Sequence, residues 1–376
     1  MLRDSFPNGG AERQLALLAE SLPPGVDVCV WGLGGGPFVS VLRGLGVPVE
    51  LSERRWRFSP SPVAGLWRLV RSWRPDVLHT WGWMSAAAAL PVAAALRVPV
   101  VDGTIRNATI NRRFVLPRRA AMRGARLIVA NSRAGLRTWG IDGERGRVVY
   151  NGFDQRRWAR TSVNAPEAAD GTVAGAPRPF TVVMTGRMKP AKDFTSLIAA
   201  ARLLVAGGDA GWRFVLVGAG EDRPRLEYQA APLLASASLE FVDAGLEVLD
   251  HVREAHVGVL LTNARVHAEG CSNSLLEYMA CSLPVVCSDS GGNREVVDDG
   301  ESGFVVPSGD PQAVARALRR LRDDPGLCRR LGTRGRIRLD SEFTVPKMVT
   351  GWVRVYEEAA GSSRPRAMPE GGSWGS

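Results

Sequence analysis

The chain of 376 residues is 45% hydrophobic with a formal net charge of +10, enough for a sizeable core and more than one domain comfortably holds. Its 42 Gly and 24 Pro show no period, which excludes collagen-like and wholly disordered chains, and no apolar run is long and unbroken enough to span a bilayer. Five cysteines, an odd number without paired spacing, argue against a zinc site or disulfide framework and fit a reducing, cytoplasmic compartment.

Met1 to Gly10 is polar and glycine-rich, unlike a signal peptide. Helices and strands then alternate, the pattern of parallel α/β layers. Helices are predicted over Ala11 to Leu22, Pro37 to Leu45, Pro62 to Ser72 and Ser85 to Leu96. Strands are predicted over Val26 to Trp31, Val47 to Leu51, Asp76 to Thr80, Pro99 to Asp102, Arg126 to Asn131 and Arg147 to Tyr150. A parallel sheet of this kind needs a central strand feeding the Gly9-Gly10 turn, and Met1 to Phe6 is too short and polar to supply it well. The expectation is that the native start lies upstream of Met1. Gly32 to Gly36 superficially suggests a dinucleotide fingerprint, but the spacing is wrong and it reads as a loop.

Ser162 to Pro179 is rich in Ala, Gly, Pro and Thr, lacks periodicity and reads as an interdomain linker. It separates a first domain over 1–161 from a second over 180–340. The second is predicted to hold strands over Phe180 to Thr185, Trp212 to Gly218, Leu239 to Val242, Val257 to Leu261 and Pro284 to Ser288. Its helices are predicted over Asp193 to Val205, Asn273 to Ala280 and Pro311 to Arg320. A helix over Val345 to Ala359, within 341–360, is expected to pack back on the first domain, and Gly361 to Ser376 reads as a disordered tail.

Charge is uneven along this plan. Residues 1–150 contain 21 Arg, no Lys and 10 acidic residues, whereas the rest holds 27 basic and 28 acidic side chains. The densest cluster is Arg106, Arg112, Arg113, Arg118, Arg119, Arg123 and Arg126, interleaved with Phe114, Val115, Leu116 and Met122. It fits an anionic membrane surface as partner, with a solvated arginine-rich face as the alternative. There is no recognised nucleic-acid module and no aromatic platform, so no nucleic-acid partner is expected.

The most informative segment runs from Ala268 to Asp310. Glu269 and Glu277 stand eight positions apart. Glu269-Gly270-Cys271-Ser272-Asn273 reads as a loop ending at a helix N-terminus, with Ser272 or Asn273 as N-cap. Backbone N–H groups at such an end attract phosphate. One carboxylate is then free to accept hydrogen bonds from sugar hydroxyls and the other from a ribose. On spacing alone, two such glutamates read as a solvated helix face; their neighbours change that. Tyr278-Met279-Ala280-Cys281-Ser282-Leu283-Pro284-Val285-Val286, then Ser290-Gly291-Gly292-Asn293-Arg294-Glu295 and Asp299-Gly300-Glu301-Ser302-Gly303-Phe304-Val305-Val306, follow in order.

With these residues the sequence closely resembles the family-four glycosyltransferases, whose pattern is a Glu, a second Glu after seven residues, a small-residue helix end, Pro-Val-Val and Gly-Gly. The resemblance covers nearly the whole chain up to about Ala360. It implies an α/β fold of two Rossmann-like domains facing each other across a cleft, the glycosyltransferase B type. It also implies a nucleotide sugar bound in that cleft and transfer to a hydroxyl acceptor with retention; no metal or other cofactor is expected, because no clustered His or Asp set has ligand spacing and a basic pair can take the place of a cation. Thr185-Gly186-Arg187-Met188-Lys189-Pro190-Ala191-Lys192-Asp193 supports it. The chain has only three lysines, and Lys189 and Lys192 fall here. Departure of a nucleoside diphosphate needs fixed positive charge, and the resemblance implies that Arg187 and Lys192 supply it. Lys189 is read as structural or exposed.

The opening Asn8-Gly9-Gly10-Ala11-Glu12-Arg13-Gln14 matches the family's glycine loop facing the donor phosphates. Gly218-Ala219-Gly220 matches its turn beside the nucleotide. One departure stands out. Many members carry a His after the strand that here is Pro99 to Asp102, whereas this chain has Arg106. A guanidinium cannot act as general base, but it can hold a sugar hydroxyl or an acceptor phosphate; His79 is the other candidate for that contact. The resulting site has Glu269, Arg187 and Lys192 as its catalytic set. Gly9, Gly10, Gly218, Gly270, Cys271, Ser272, Asn273 and Glu277 are its donor-binding set. The expected product is a polysaccharide, glycolipid or other glycoconjugate, with a lipid-linked acceptor at the inner membrane face among the options. The rival readings are a sugar-nucleotide epimerase of the same architecture and a basic nucleic-acid-binding protein.

Overall fold

The computed structural model describes residues 1–7, 9–53, 59–110, 112–141, 143–156, 178–206, 211–243 and 248–361. Asn8, nearly all of the proposed linker and the tail beyond Gly361 lie outside them.

The first domain is a seven-stranded parallel sheet in the order β3-β2-β1-β4-β5-β6-β7. Its strands are β1 Leu2–Arg3, β2 Val30–Gly32, β3 Val49–Leu51, β4 Leu78–Thr80, β5 Val100–Ile105, β6 Leu127–Ala130 and β7 Gly146–Val148. Its helices are α1 Gly10–Ser21, α2 Pro37–Gly44, α3 Ser61–Trp73, α4 Trp83–Leu96, α5 Val115–Gly124 and α6 Arg133–Trp139. The doubt about the central strand is corrected here. Leu2 pairs with both Trp31 and Thr80, so two residues hold the centre. Burial of Leu2 and Phe6 and an ion pair between Arg3 and Glu12 offset the segment's polarity.

The second domain is a six-stranded parallel sheet in the order β10-β9-β8-β11-β12-β13. Its strands are β8 Phe180–Thr185, β9 Trp212–Val217, β10 Leu239–Val242, β11 Val257–Leu260, β12 Val285–Ser288 and β13 Gly303–Val306. Its helices are α7 Phe194–Val205, α8 Arg223–Ala235, α9 Val248–Arg253, α10 Asn273–Ala280, α11 Asn293–Val296, α12 Pro311–Asp323 and α13 Pro325–Glu342. β8, β9 and β11 are near-continuous apolar runs because helices cover both faces of the sheet.

In each sheet the strand order reverses once, between β1 and β4 and between β8 and β11. Ligands of doubly wound sheets bind beyond the carboxyl ends of the strands at such a point. The last helix, α14 Val345–Ala360, returns to the first domain. Its Met348, Trp352, Val355 and Ala359 share a core with Phe6, Leu15, Trp81 and Val101. A boundary after residue 340 falls inside α13, so it is corrected to Thr344, whose side chain caps α14. The two chain crossings lie together: Phe153 bridges Thr344, and its N–H donates to the Phe343 carbonyl at 2.8 Å.

Candidate active site

The carboxyl ends of β8 and β11 bring the first candidates together. Lys192 follows β8, Thr262 follows β11, and the two form an isolated antiparallel bridge. Lys192 Nζ donates to Glu269 Oε1 at 2.6 Å, and Thr262 Oγ1 donates to the same oxygen at 3.1 Å. His267 Nε2 lies 3.7 Å from Glu269 Oε2. Glu269 is 7% exposed. Burial opposes its charge, but Lys192 and His267 outweigh that and hold the carboxyl well below the usual carboxylate range. Its backbone is fixed as well, the carbonyl accepting from Gly292 N at 2.8 Å.

The loop after Glu269 lies against the first domain. A Cβ on Gly270 would run into Asn131 Oδ1 and the Arg106 carbonyl, so only glycine fits. The Cys271 carbonyl accepts from Asn151 Nδ2 at 2.7 Å. Burial pushes its thiol up to about 12, so the thiol is unreactive. Ser272 occupies the N-cap of α10, one of the two residues expected there, but makes no side-chain capping bond, and Asn273 bonds elsewhere. Asn273 Oδ1 accepts from Asn151 Nδ2 at 2.9 Å and Gln14 Nε2 at 3.2 Å, and its Nδ2 donates to the Gly10 carbonyl at 3.2 Å. Glu277, one turn further, accepts from Arg13 Nη1 at 2.9 Å.

Gly10 opens α1, which likewise has no side-chain cap. Two uncapped helix starts therefore meet across the cleft, each presenting backbone N–H groups and partial positive charge. Arg187 is exposed and reaches the same place; a Cβ on Gly9 would stand 3.9 Å from its Nη2. Gly218, at φ 142°, packs on the Gly186 backbone, where a Cβ would strike the carbonyl, so the loops after β8 and β9 touch.

The two first-domain candidates part company. Arg106 stacks 4.5 Å over Trp81 and donates from Nη2 to Asn151 Oδ1 at 2.6 Å. Asn151 in turn holds Cys271 and Asn273, so Arg106 backs the loop after Glu269. Burial lowers its pKa to about 10, which leaves it charged at neutral pH. His79, as a sugar or acceptor contact, is corrected. It is 2% exposed and packed among Trp81, Trp352 and Tyr356. Its Nδ1 faces Tyr356 Oη at 2.8 Å and accepts from Trp81 Nε1 at 3.3 Å. Burial pulls it well below the usual histidine range.

Arg13, Asn151, Thr109, His267 and Glu295 enter the site without having been predicted. Glu295 accepts from the N–H groups of Arg133 and Ala134, both at 2.7 Å, and from Tyr150 Oη at 2.9 Å, joining α11 to α6 across the domains. The basic cluster lies mainly on and around α5. Met122 is buried in the core, which corrects its reading as a lipid contact. Leu116 is 77% exposed, beside exposed Arg113, Arg119 and Arg123. Among the described residues no helix is long and apolar enough to cross a membrane, and no cluster of His, Cys, Asp or Glu could hold a metal ion.

Two doubly wound domains, with paired glutamates and a cationic loop at the cleft, define a nucleotide-sugar glycosyltransferase. Residues 8–157 match the family model Glycosyltransferase Family 4, and residues 173–338 match Glycosyl transferases group 1. The chain belongs to glycosyltransferase family 4. It is 28% identical over 369 residues to a D-inositol 3-phosphate glycosyltransferase of Streptomyces bingchenggensis, covering 90% of this chain and 78% of the relative. It is 27% identical over 310 residues to a glycogen synthase of Mycobacterium tuberculosis, covering 78% and 71%. In fold it is similar to Anabaena HepE solved with UDP, at TM-score 0.80 and 20% identity, covering 95% and 98% of the two chains. The lipopolysaccharide outer core galactosyltransferase WaaB has a TM-score of 0.70 at 15% identity, covering 95% and 100%.

Proposed function

We propose that the enzyme transfers a sugar from a nucleoside-diphosphate donor to an acceptor hydroxyl, with retention at the anomeric carbon and without a metal ion or other cofactor. The observation that carries this reading is the meeting of two uncapped helix starts, at Gly10 and Asn273, between the cations Arg187 and Lys192 and the carboxylates Glu269 and Glu277. The diphosphate lies against those N–H groups and cations. Glu269 orients the transferred sugar. Glu277 receives the ribose hydroxyls and lines a groove of about 410 Å³ for the nucleoside end.

In the reaction, the bond from the anomeric carbon to the leaving phosphate oxygen breaks, and the acceptor oxygen bonds from the same face. The acceptor proton passes to the departing diphosphate, whose charge Arg187 and Lys192 stabilise. Domain closure around the donor excludes water.

A thermal-shift screen with UDP-glucose, UDP-N-acetylglucosamine, GDP-mannose and ADP-glucose tests this. Stabilisation by one of them in the presence of chelator supports it. Binding that needs added metal overturns metal independence, and binding of none overturns the donor assignment. HepE has been solved with UDP-glucose, which makes that donor the first to try.

For the acceptor, Leu116 among Arg113, Arg119 and Arg123 supports a lipid-linked hydroxyl presented at an anionic membrane surface, with the enzyme bound peripherally at the inner face of the cell membrane. Co-flotation with phosphatidylglycerol liposomes, lost in Leu116→Asp and in neutral liposomes, is the expected result. Absence of flotation removes this part of the reading.

A further inference from the structure

Beside Glu269 the two domains are joined by a short strap. Asn107, just past β5, pairs with Glu269 as an isolated antiparallel bridge. Ala108 N donates to the Ala268 carbonyl at 2.9 Å, and Ala268 N donates to Thr109 Oγ1 at 2.8 Å. The Thr109 hydroxyl also lies 3.3 Å from His267 Nδ1. The opposite ring nitrogen, Nε2, faces Glu269 Oε2 at 3.7 Å. The imidazole therefore stands between a hydroxyl of one domain and the carboxylate that the proposed function assigns to the transferred sugar.

The proton positions follow from the neighbours. A carboxylate accepts only, so the nitrogen facing Glu269 carries hydrogen. In the neutral ring Nδ1 is then an acceptor facing the Thr109 hydroxyl, whose Oγ1 lies 3.3 Å from both Nδ1 and the Ala268 carbonyl oxygen and shares its single hydrogen between them. The other carboxylate oxygen is held by Lys192 and Thr262. When Lys192 turns toward a departing diphosphate, Oε1 loses its strongest partner, and His267 keeps the carboxylate from rotating with it. At 3.7 Å the Nε2 contact is longer than a hydrogen bond and acts as a close electrostatic contact. The strap sets the position of the ring, so domain closure reaches Glu269 through Thr109 and His267.

We propose that His267 is a positioning residue, which transmits closure of the first domain, through the Thr109 hydroxyl, to the orientation of the Glu269 carboxylate. This rests on the assignment of Glu269 to the sugar. It concerns residues two places before the paired-glutamate pattern and on a strap from the other domain, so neither belongs to that pattern.

The test has two arms. The first needs no substrate. The chain has four His, so nitrogen-15 imidazole spectra of the whole protein assign His267 by its loss in His267→Gln. The expected form is the Nε2–H tautomer, with an Nδ1 signal that shifts in Thr109→Val. An Nδ1–H tautomer, or an Nδ1 signal indifferent to Thr109→Val, overturns the proposal.

The second arm measures turnover of the nucleotide sugar selected by the thermal screen. His267→Ala is expected to lower kcat about tenfold with donor KM unchanged, as for a misplaced reacting group. His267→Gln, which keeps an N–H near Nε2, recovers most of it. Thr109→Val on top of His267→Ala adds nothing. Equal turnover in the Ala and Gln variants overturns the proposal, as does additivity with Thr109→Val. Glu269→Gln separates the two failures. Normal turnover there removes the Glu269 assignment itself, whereas a fall there with normal turnover in His267→Ala removes only the role of His267.

Discussion

Lys192 and Glu269, 77 positions apart in sequence, form a 2.6 Å ion pair at the point where the second sheet reverses its strand order. The lysine proposed for the leaving phosphate and the carboxylate proposed for the sugar are thus ion-pair partners of each other. Binding a donor must divide the ammonium between carboxylate and diphosphate. The pair holds the Glu269 carboxyl well below the usual carboxylate range.

Glu269→Gln is therefore expected to keep the fold and lose turnover by about a hundredfold or more, the scale of removing a group that acts mainly in the transition state. Steady-state kinetics with the donor from the thermal screen measures it. Unchanged kcat would take Glu269 out of the reaction.

Lys192→Met leaves a nearly buried carboxylate without its ion-pair partner, a loss on the order of 3 kcal/mol in native stability. Adding Glu269→Gln removes the orphaned charge, so the double variant should melt above Lys192→Met. A double variant that melts no higher would show that the pair contributes little to the fold.

Glu277 differs in that its partner, Arg13, comes from the other domain. If Glu277 holds the ribose as proposed, Glu277→Ala should raise donor KM about tenfold while kcat stays within about twofold, because such a contact is equal in ground and transition states. A drop in kcat with unchanged KM would exchange the roles of the two glutamates.

The parts of this site that can be read along the chain are those built from near neighbours. Glu269, Glu277 and the glycines between and after them lie in one loop and helix, and Arg187 and Lys192 lie in one turn. The alternating α/β plan is legible for the same reason, since most of its strands and helices are periodic over their own length. Contacts made by folding are not. Arg13 is 264 positions from Glu277, and Glu295 is about 160 from the amides it accepts from. His79 illustrates the converse. A rare, titratable side chain at a strand end suggests function, but Trp352 and Tyr356, which bury it, arrive with the last helix. β1 escapes pattern reading because two residues carry no period, and α13 because arginines and glycines dilute its apolar stripe.

Burial of His79 has a consequence for acid stability. Its folded-state pKa lies well below 6.5, with burial the main cause. Below pH 6.5 the unfolded chain therefore takes up a proton that the native state does not. Stability due to this group is present above that pH and falls as pH drops, by about 1.4 kcal/mol per unit until the folded pKa is reached. His79→Asn keeps an acceptor for Tyr356 and Trp81 but cannot titrate. Between pH 7.5 and 5.5 its melting temperature should fall less than that of the natural protein. Parallel curves would show that another group dominates the acid limb.

The contact of Glu295 with α6 is a helix cap supplied from the opposite domain. Both carboxylate oxygens are used, one by Ala134 N and the other by Arg133 N and Tyr150 Oη. Removing it leaves two amides at a helix start without their acceptor, and also removes a tie between the two domains. Glu295→Ala should cost about 1–2 kcal/mol, the usual range for losing a capping side chain. Local opening that breaks this tie exposes the Arg133 and Ala134 amides, so their hydrogen exchange should quicken by roughly tenfold per 1.4 kcal/mol lost. Exchange in the β8 and β9 core should change only as far as global stability does. Tyr150→Phe removes only the phenol's bond and should produce a smaller shift at the same two amides. If Glu295→Ala leaves their exchange unaltered, the cross-domain cap does not limit opening of the cleft.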